Sequence, residues 1–233
     1  MIKPEWITMD ALEYRADELR SNLKEHLGSA LDFGFDTESY LDFLVHSDML
    51  SYFDFTNQEG LCEEILGKFD VINNSILIFN GMQNKARENF TVAHEIGHCI
   101  LHRPMFLRQN PNFNNSNGEY KFSFDLHRDI VDGKRVPQTA NKKIDTLEMQ
   151  ANNFARYLLM PRDNFTSLAH EYMDRFKIIP DYFSNLSNIR FSGDFQKLHL
   201  LVNALSDMFN TSRSACTIRL KNTGVLDKNF KVV

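Results

Sequence analysis

The pattern of hydrophobic and polar positions predicts an amphipathic helix near the start of the chain, from about residue 11 to residue 27. Apolar residues recur there every three or four positions, as expected for a helix that packs one face on a core. Asp10 and Glu13 have the spacing of a capping box, and Gly28 would end the helix. A second, shorter helix is predicted after Thr37, with four apolar side chains on its buried face. These are Tyr40, Leu41, Phe43 and Leu44.

Between Leu50 and Phe79 the apolar positions form short continuous or alternating runs instead of a helical stripe. The runs LSYFDF, LCEEILGKF and SILIF are separated by Gly60 and by Asn73-Asn74, which favour turns. This pattern predicts a small, mostly antiparallel sheet with an Asn-Asn turn before its last strand. Such a sheet could accept an extended peptide along its edge by strand addition, or it could only shield the helix that follows.

The next stretch, FTVAHEIGHCILH from Phe90 to His102, again has apolar residues at helical spacing. His94 and His98 lie at the edge of its apolar face, one helical turn apart, so both imidazoles can reach one ion. Glu95 is placed to address a water on that ion without binding the ion itself. In an HExxH arrangement of this kind, the two histidines bind Zn²⁺ and the glutamate acts as general base. The alternative is a surface helix with two solvated histidines and a glutamate paired within the helix.

His102 continues the same row of histidines, two turns after His94. The two residues are about 12 Å apart along the helix axis, which is too far for them to share one ion. We therefore expect His102 to orient a neighbouring side chain, or to cap the end of the helix before Pro104.

A second strongly apolar helix is predicted at DTLEMQANNFARYLLMP, which starts at Asp145 and which Pro161 ends. Glu148 lies at the edge of its apolar face, where a carboxylate needs a partner. It could form a capping box with Asp145 at the start of the helix. Alternatively, it could complete a His₂Glu zinc site with His94 and His98, leaving the fourth position open to water. We favour the zinc ligand, because the HExxH supplies two of the three ligands that a catalytic zinc needs.

A long polar excursion, residues 103–144, separates these two helices. It includes the Asn-rich, turn-prone segment Gln109–Glu119 and a short stretch, Lys121–Asp125, that could be a strand. Insertions of this length between two helices of one domain are often lids or binding loops. A surface insertion without a function is the other interpretation.

After Pro161 the chain is predicted to be helical, with a break at Pro180. From His199 to Leu226 the pattern predicts a helix, a turn and a second helix that Ser212 would cap. Five basic side chains give this tail a positive excess, but we expect it to pack against the catalytic domain rather than to bind DNA. They are Arg213, Arg219, Lys221, Lys228 and Lys231.

The composition narrows the class of protein further. A net charge of −5 argues against a protein that binds nucleic acid with its whole surface. The three cysteines, Cys62, Cys99 and Cys216, are odd in number and far apart in the chain. They show the spacing of neither a disulfide framework nor a thiolate zinc cluster, which suits the cytosol. The N-terminal residues show no signal-like apolar stretch, and no run approaches membrane-spanning length. We expect a cytoplasmic protein without a membrane partner.

Two blocks of the sequence resemble the ImmA/IrrE family of metallopeptidases. NFTVAHEIGHCILH, Asn89–His102, is similar to the family's RFTLAHExGHxxLH, and EMQANNFARYLLMP, Glu148–Pro161, is similar to its E-x-x-A-N-x-F-A-x-x-L-L-M-P. The tail also resembles the family's F-x-V-S-x-x-A-x-x-x-R-L, with Thr211 in place of the valine. The resemblance implies an α+β fold. A zincin-like, minimal gluzincin-type catalytic domain with a small antiparallel sheet would occupy residues 1–161, and a helix-turn-helix-like helical subdomain would occupy residues 162–233.

The resemblance also implies the chemistry of the site. His94, His98 and Glu148 would bind Zn²⁺, and Glu95 would be the catalytic base. Family members typically cleave helix-turn-helix repressors in bacteria and their mobile elements. The implied function is therefore a zinc-dependent endopeptidase whose protein substrate is such a repressor or an antitoxin. The rival hypothesis is a binding module that holds such a partner without cleaving it.

Three further points refine what the resemblance implies. A metzincin site would need Gly and His where this chain has Leu101 and Pro104. Glu148 lies fifty positions after His98, a longer spacing than we expect for compact members, and the excess lies in the Asn-rich excursion. The group that would stabilise the oxyanion is open among several side chains. They are Tyr157, His102 and His127.

Overall fold

The computed structural model describes residues 4–27, 36–56, 65–111, 123–127, 142–178 and 192–226. Within these ranges the protein is mixed α+β, mostly helical with one small sheet, as the sequence predicts. The chain divides into two compact units: Met1–Leu31 with Asp36–Leu158, and Asp32–Phe35 with Leu159–Val233. The predicted division after residue 161 into a catalytic domain and a C-terminal subdomain stays a prediction.

Two helices open the first unit, α1 over Met9–Leu27 and α2 over Thr37–His46. Both were predicted, and the four apolar side chains expected on the buried face of α2 are buried. The predicted capping box is wrong, because α1 begins before Asp10. Thr8 caps the helix instead: its hydroxyl accepts from the backbone N–H of Ala11 at 3.3 Å. Gly28 lies outside the described residues.

The sheet has four strands in the order β1-β3-β2-β4. They are β1 Tyr52–Thr56, β2 Ile65–Asp70, β3 Ser75–Phe79 and β4 Ser123–His127. β2 is antiparallel to both β3 and β4, whereas β1 is parallel to β3, so the sheet is mostly antiparallel as predicted. The strand after the Asn-Asn turn is nevertheless an inner strand and not the last. The last strand, β4, comes from the polar excursion and covers the outer side of β2.

The turn between β2 and β3 is built by short polar side chains. The carboxylate of Asp70 accepts from the backbone N–H groups of Ile72 and Asn73, at 2.9 Å and 3.0 Å. Asn74 then adopts a φ of 52°, which asparagine tolerates better than most residues. This turn fixes the pairing of β2 with β3 and places β2 against the helix that follows.

That helix, α3, spans Lys85–Gly97 and continues into a π-helical turn over His98–His102, then into α4 over Arg103–Gln109. The amphipathic helix predicted to end at His102 is confirmed, although its last turn is π-helical. The polar excursion begins later than predicted, because its first residues form α4 with Pro104 in the first turn. Most of the Asn-rich segment lies outside the described residues. Its predicted role as a lid or binding loop therefore stays a prediction.

The last helix of the first unit, α5, spans Lys142–Leu159 and ends before Pro161, as predicted. The second unit contains three helices within its described part: α6 Arg162–Arg175, α7 Ser192–Met208 and α8 Arg213–Asn222. Ser212 caps α8 as predicted, since its hydroxyl accepts from the backbone N–H of Ala215 at 3.1 Å. Across the part of the chain that is described, no helix is both long and apolar enough to cross a membrane.

The basic excess predicted for the tail is smaller than the sequence suggests. Arg219 is buried, and its Nε donates to the carbonyl of Met160 at 2.8 Å. Its charge is therefore part of the interior of the second unit and does not belong to a surface patch. Lys228 and Lys231 lie outside the described residues.

Candidate metal centre

The structure brings the three predicted ligands together. His94 lies on α3 and His98 begins the π turn, and both are fully buried. Their Nε2 atoms are 2.9 Å apart. Glu148, from α5, places Oε2 at 3.2 Å from Nε2 of His94 and Oε1 at 3.5 Å from Nε2 of His98. Within the described residues these three form a group that could hold a metal ion.

The position of Glu148 in its helix decides between the two roles considered for it. Helix α5 begins at Lys142, so Glu148 is its seventh residue and lies beyond the first turn. A capping box needs the glutamate at the third helical position, where it can reach the free N–H groups of the first turn. The capping-box interpretation with Asp145 is therefore wrong, and the carboxylate of Glu148 faces the two histidines instead.

The outer nitrogen of each histidine has its own partner. Nδ1 of His94 lies 3.1 Å from Oδ1 of Asn152, one turn after Glu148 on α5. An amide oxygen only accepts hydrogen bonds, so Nδ1 of His94 carries the proton. Its Nε2 then carries no proton, and the lone pair of this nitrogen points at the other ligands, as a metal-binding imidazole requires.

His102 provides the outer contact of His98. The two Nδ1 atoms lie 2.8 Å apart, and Nε2 of His102 lies 3.1 Å from Oε1 of Gln150. Of the two roles predicted for His102, orienting a neighbour is confirmed. The other predicted role, capping a helix end before Pro104, is wrong, because the chain runs from His102 directly into α4. Burial holds the pKa of His102 well below its ordinary value, so the ring is neutral.

The protonation states in the cluster are those that metal ligands need. Burial lowers the pKa of His98 to about 4, although the adjacent carboxylate of Glu148 works in the opposite direction. Burial alone would raise the pKa of Glu148, but His98 and His94 more than offset this and hold it below its ordinary value. Neutral imidazole beside an ionised carboxylate is the donor set that a divalent cation takes up without displacing protons.

The distances between the donor atoms fit one small cation. Two imidazole nitrogens 2.9 Å apart either share one proton in a hydrogen bond or, as two lone pairs, repel each other unless a cation lies between them and the carboxylate. Tetrahedral Zn²⁺ with bonds of about 2.0–2.1 Å would separate its ligand atoms by about 3.3 Å. The observed separations of 2.9, 3.2 and 3.5 Å scatter around that value.

Glu95, the predicted base, is buried on α3 and is not one of the three clustered ligands. Strand β2 passes beside it at Gly67. A Cβ at Gly67 would lie 2.9 Å from Oε1 of Glu95 and 2.6 Å from Cγ2 of Thr91. Glycine at this position therefore leaves the room that the carboxylate occupies.

Sequence reasoning missed three residues that support this site. Gly67 could have been found, because a glycine inside a strand often marks a close approach of another backbone or side chain. Asn152 could have been found from its spacing of one helical turn after Glu148. Gln150 gave no local signal. Among the candidates for oxyanion stabilisation, Tyr157 is buried on α5, whereas the side chain of His127 lies outside what is described.

No family model matches the chain, and none of the curated proteins matches it either. Membership of the ImmA/IrrE family, which two blocks of the sequence suggest, stays a prediction. The residues of those blocks supply the clustered ligands and the partner of His94 described above.

Proposed function

We propose that this protein is a zinc-dependent endopeptidase of the zincin-like, gluzincin type. His94, His98 and Glu148 would hold Zn²⁺, and Glu95 would act as general base. The observation that supports this most is the convergence of two imidazole Nε2 atoms and one carboxylate, with separations of 2.9 to 3.5 Å between the ligand atoms. Two histidines and one glutamate are a typical ligand set of catalytic zinc, which keeps a fourth position open.

The roles of the residues follow from their chemistry. When bound, Zn²⁺ would supply Lewis acidity, polarising a carbonyl and lowering the pKa of water. The carboxylate of Glu95 accepts a proton from the attacking water and delivers it to the leaving amine. Asn152 and His102 hold the two imidazoles by Nδ1, so that Nε2 of each faces the other ligands and would be available to Zn²⁺. Gly67 keeps space for the carboxylate of Glu95.

For the substrate, we propose a helix-turn-helix repressor or an antitoxin, as the family resemblance implies. The cytoplasmic location proposed from the sequence would place the enzyme where such proteins act. The rival function is a binding module that holds the same partner without cutting it.

The experiment that separates these functions combines metal content with a single substitution. The purified protein is analysed for bound metal and then incubated with a panel of purified helix-turn-helix repressors and antitoxins. The same assay is run on Glu95→Gln and on a matched control, Glu88→Gln. Glu88 lies on the same helix but pairs with Lys85 at the surface.

We expect the wild-type protein and Glu88→Gln to contain about one zinc and to cut the same partner. Glu95→Gln should keep its zinc and bind the partner, but should cut it 10²- to 10⁴-fold more slowly, because only the proton acceptor is lost. Binding without fragments from every zinc-loaded variant, the wild type included, would establish the binding module. Wild-type cleavage by zinc-loaded Glu95→Gln would disprove the role given to Glu95.

A further inference from the structure

A chain of buried hydrogen bonds connects the N-terminal segment of the protein to one metal ligand. Nε2 of Gln150 donates to the backbone carbonyl of Glu5 at 2.8 Å. Oε1 of Gln150 lies 3.1 Å from Nε2 of His102, and Nδ1 of His102 lies 2.8 Å from Nδ1 of His98. The three side chains in this relay, Gln150, His102 and His98, are fully buried.

The first bond of the relay fixes the orientation of the Gln150 amide. A backbone carbonyl can only accept, so the atom facing Glu5 must be the amide NH₂ group. The opposite end of the amide, which faces His102, is then the oxygen. Flipping the amide would place two acceptors against each other at Glu5, so only this orientation pairs a donor with an acceptor there.

The orientation of Gln150 then sets the proton positions on both histidines. An oxygen at Gln150 requires a proton on Nε2 of His102. The neutral ring of His102 therefore presents a lone pair at Nδ1, because a neutral imidazole carries one proton. That lone pair accepts from Nδ1 of His98, which leaves Nε2 of His98 without a proton and facing the other ligands.

The two histidine ligands are thus supported in different ways. His94 depends on one contact, with Asn152 from α5. His98 depends on a relay in which every bond has its direction imposed by the one before it, starting at a main-chain carbonyl of the N-terminal segment. Without the oxygen of Gln150, His102 can adopt its other tautomer and donate from Nδ1. Nε2 of His98 would then carry the proton and could not bind a metal.

We infer that Gln150, anchored by the carbonyl of Glu5, is a positioning residue that keeps His98 in its metal-binding tautomer. The N-terminal segment before α1 is therefore part of the metal centre, although it contributes no ligand. This inference rests on the proposed function only where it predicts zinc affinity. The tautomer of His98 is a property of the metal-free protein.

The test reads the tautomer directly. Long-range ¹H–¹⁵N correlation spectra of the metal-free protein distinguish imidazoles protonated at Nδ1 from those protonated at Nε2. The signals of His98 are assigned by their loss in His98→Gln. Spectra and zinc competition titrations are recorded for the wild type, Gln150→Met, Gln150→Glu and a chain that starts at Met9.

Two control variants accompany these. Gln83→Met makes the same substitution at an exposed loop position. Arg108→Met removes the exposed ion pair that Arg108 makes with the side chain of Glu5, and it leaves Glu5 and the carbonyl that Gln150 uses unchanged. Both controls should match the wild type in tautomer and in zinc affinity.

In the wild type we expect His98 to carry its proton on Nδ1 before any metal is added. Gln150→Met should move that proton to Nε2 in part of the molecules and weaken zinc binding about 10- to 100-fold, the usual cost of losing an outer partner. In Gln150→Glu, burial and the carbonyl of Glu5 favour a protonated carboxyl, whose O–H donates to that carbonyl while its other oxygen accepts from His102; this variant should retain the wild-type tautomer. The chain that starts at Met9 should show the same tautomer shift as Gln150→Met, but to a smaller extent.

A folded Gln150→Met variant with the wild-type tautomer and zinc affinity would overturn the inference. If Gln150→Met does not fold, an unchanged His98 tautomer in the chain that starts at Met9 would overturn it instead. If the wild type binds no zinc, the proposed function fails. The tautomers of the metal-free variants still decide the inference.

Discussion

Two buried polar clusters, one in each compact unit, differ in how their atoms are paired. In the first unit, three groups that offer lone pairs converge: Nε2 of His94, Nε2 of His98 and the carboxylate of Glu148. In the second unit, the buried guanidinium of Arg219 donates to the carbonyl of Met160, so a donor faces an acceptor. Burying several lone-pair groups against one another costs free energy unless a cation lies between them. A buried donor paired with an acceptor needs no ion to offset its burial. Buried polarity alone therefore does not mark a functional site, but convergence of acceptors does.

The cluster of the second unit consists of Met160, Thr211, Cys216 and Arg219. Nε of Arg219 donates to the carbonyl of Met160 at 2.8 Å, and Oγ1 of Thr211 lies 3.1 Å from Sγ of Cys216. Burial raises the pKa of Cys216 to about 11, so the thiol keeps its proton and donates to Sδ of Met160 at 3.8 Å. We interpret this cluster as structural, and the following predictions test the contrast.

The largest effect should come from removing a ligand. Glu148→Ala leaves two imidazoles with no carboxylate, so its zinc affinity should fall by more than the roughly 100-fold that loss of an outer partner can cost. Zinc at 100 times its Kd should stabilise the wild type by about 2.7 kcal/mol and leave Glu148→Ala unaffected. Competition titration and thermal melts with and without zinc measure both effects.

Glu171→Ala is the control for that variant, because Glu171 is an exposed carboxylate that pairs only weakly with Arg175 at 3.3 Å. It should bind zinc as the wild type does. Zinc affinity retained by Glu148→Ala would mean that another residue completes the site, and the contrast between the two clusters would lose its basis.

The sequence predicted the parts of the molecule that depend on local spacing. Helical geometry alone places His94 and His98 one turn apart, and the apolar periodicity located α1, α2, α3 and α5. The position of Glu148 against these histidines needed a second block of sequence, since helical spacing does not show which helices pack together. The mostly antiparallel sheet was also predictable from its short runs and its turn.

The remainder depends on contacts between distant residues, which local patterns do not encode. Gln150 meets Glu5 across 145 positions of the chain. The pairing of β4 with β2 depends on the path of the excursion, so the order of the strands was not predictable. The burial of Arg219 was missed for the same reason: its partner, Met160, lies 59 positions earlier. A basic residue on an amphipathic helix is expected at the surface unless such a partner is known.

The second prediction removes the charged donor of the structural cluster. Arg219→Met leaves the carbonyl of Met160 without this hydrogen bond in the interior, and should lower the free energy of unfolding by about 2–3 kcal/mol. Zinc affinity should stay at the wild-type value. Urea unfolding and zinc titration measure the two quantities, with the exposed Arg213→Met as control. A fall in zinc affinity with Arg219→Met would show that the second cluster supports the metal centre.

The third prediction concerns the close approach of β2 to α3. Gly67→Ala introduces a Cβ at 2.6 Å from Cγ2 of Thr91 and 2.9 Å from Oε1 of Glu95. We expect a loss of about 1–2 kcal/mol of stability from the close contacts. Cleavage should be slower because the carboxylate of Glu95 is displaced, whereas zinc should still bind because the three ligands are not.

Adding Thr91→Ser to Gly67→Ala separates these two effects. Serine lacks the methyl group but keeps the hydroxyl that donates to the carbonyl of Arg87 at 2.9 Å. The double variant should regain stability, but its cleavage should remain slow because the contact with Glu95 persists. Full recovery of both would show that the carboxylate can move without loss, and that Gly67 serves packing only.

The smallest effect is expected for Thr211→Val in the structural cluster. Among the described residues, the hydroxyl of Thr211 meets only sulfur atoms, Sγ of Cys216 at 3.1 Å and Sδ of Met160 at 3.7 Å, and sulfur is a weak hydrogen-bonding partner. Valine has nearly the same shape, so urea unfolding should show a change below about 1 kcal/mol, with zinc affinity unaltered. Thr217→Val is the control: it makes the same substitution on α8, at a threonine whose hydroxyl donates to the carbonyl of Arg213 one turn earlier, and it measures the cost of the substitution outside the cluster.

A loss above about 2 kcal/mol of unfolding free energy in Thr211→Val would mean that this cluster depends on bond direction as strongly as the histidine relay does. Directional pairing would then no longer distinguish the metal centre from an ordinary core.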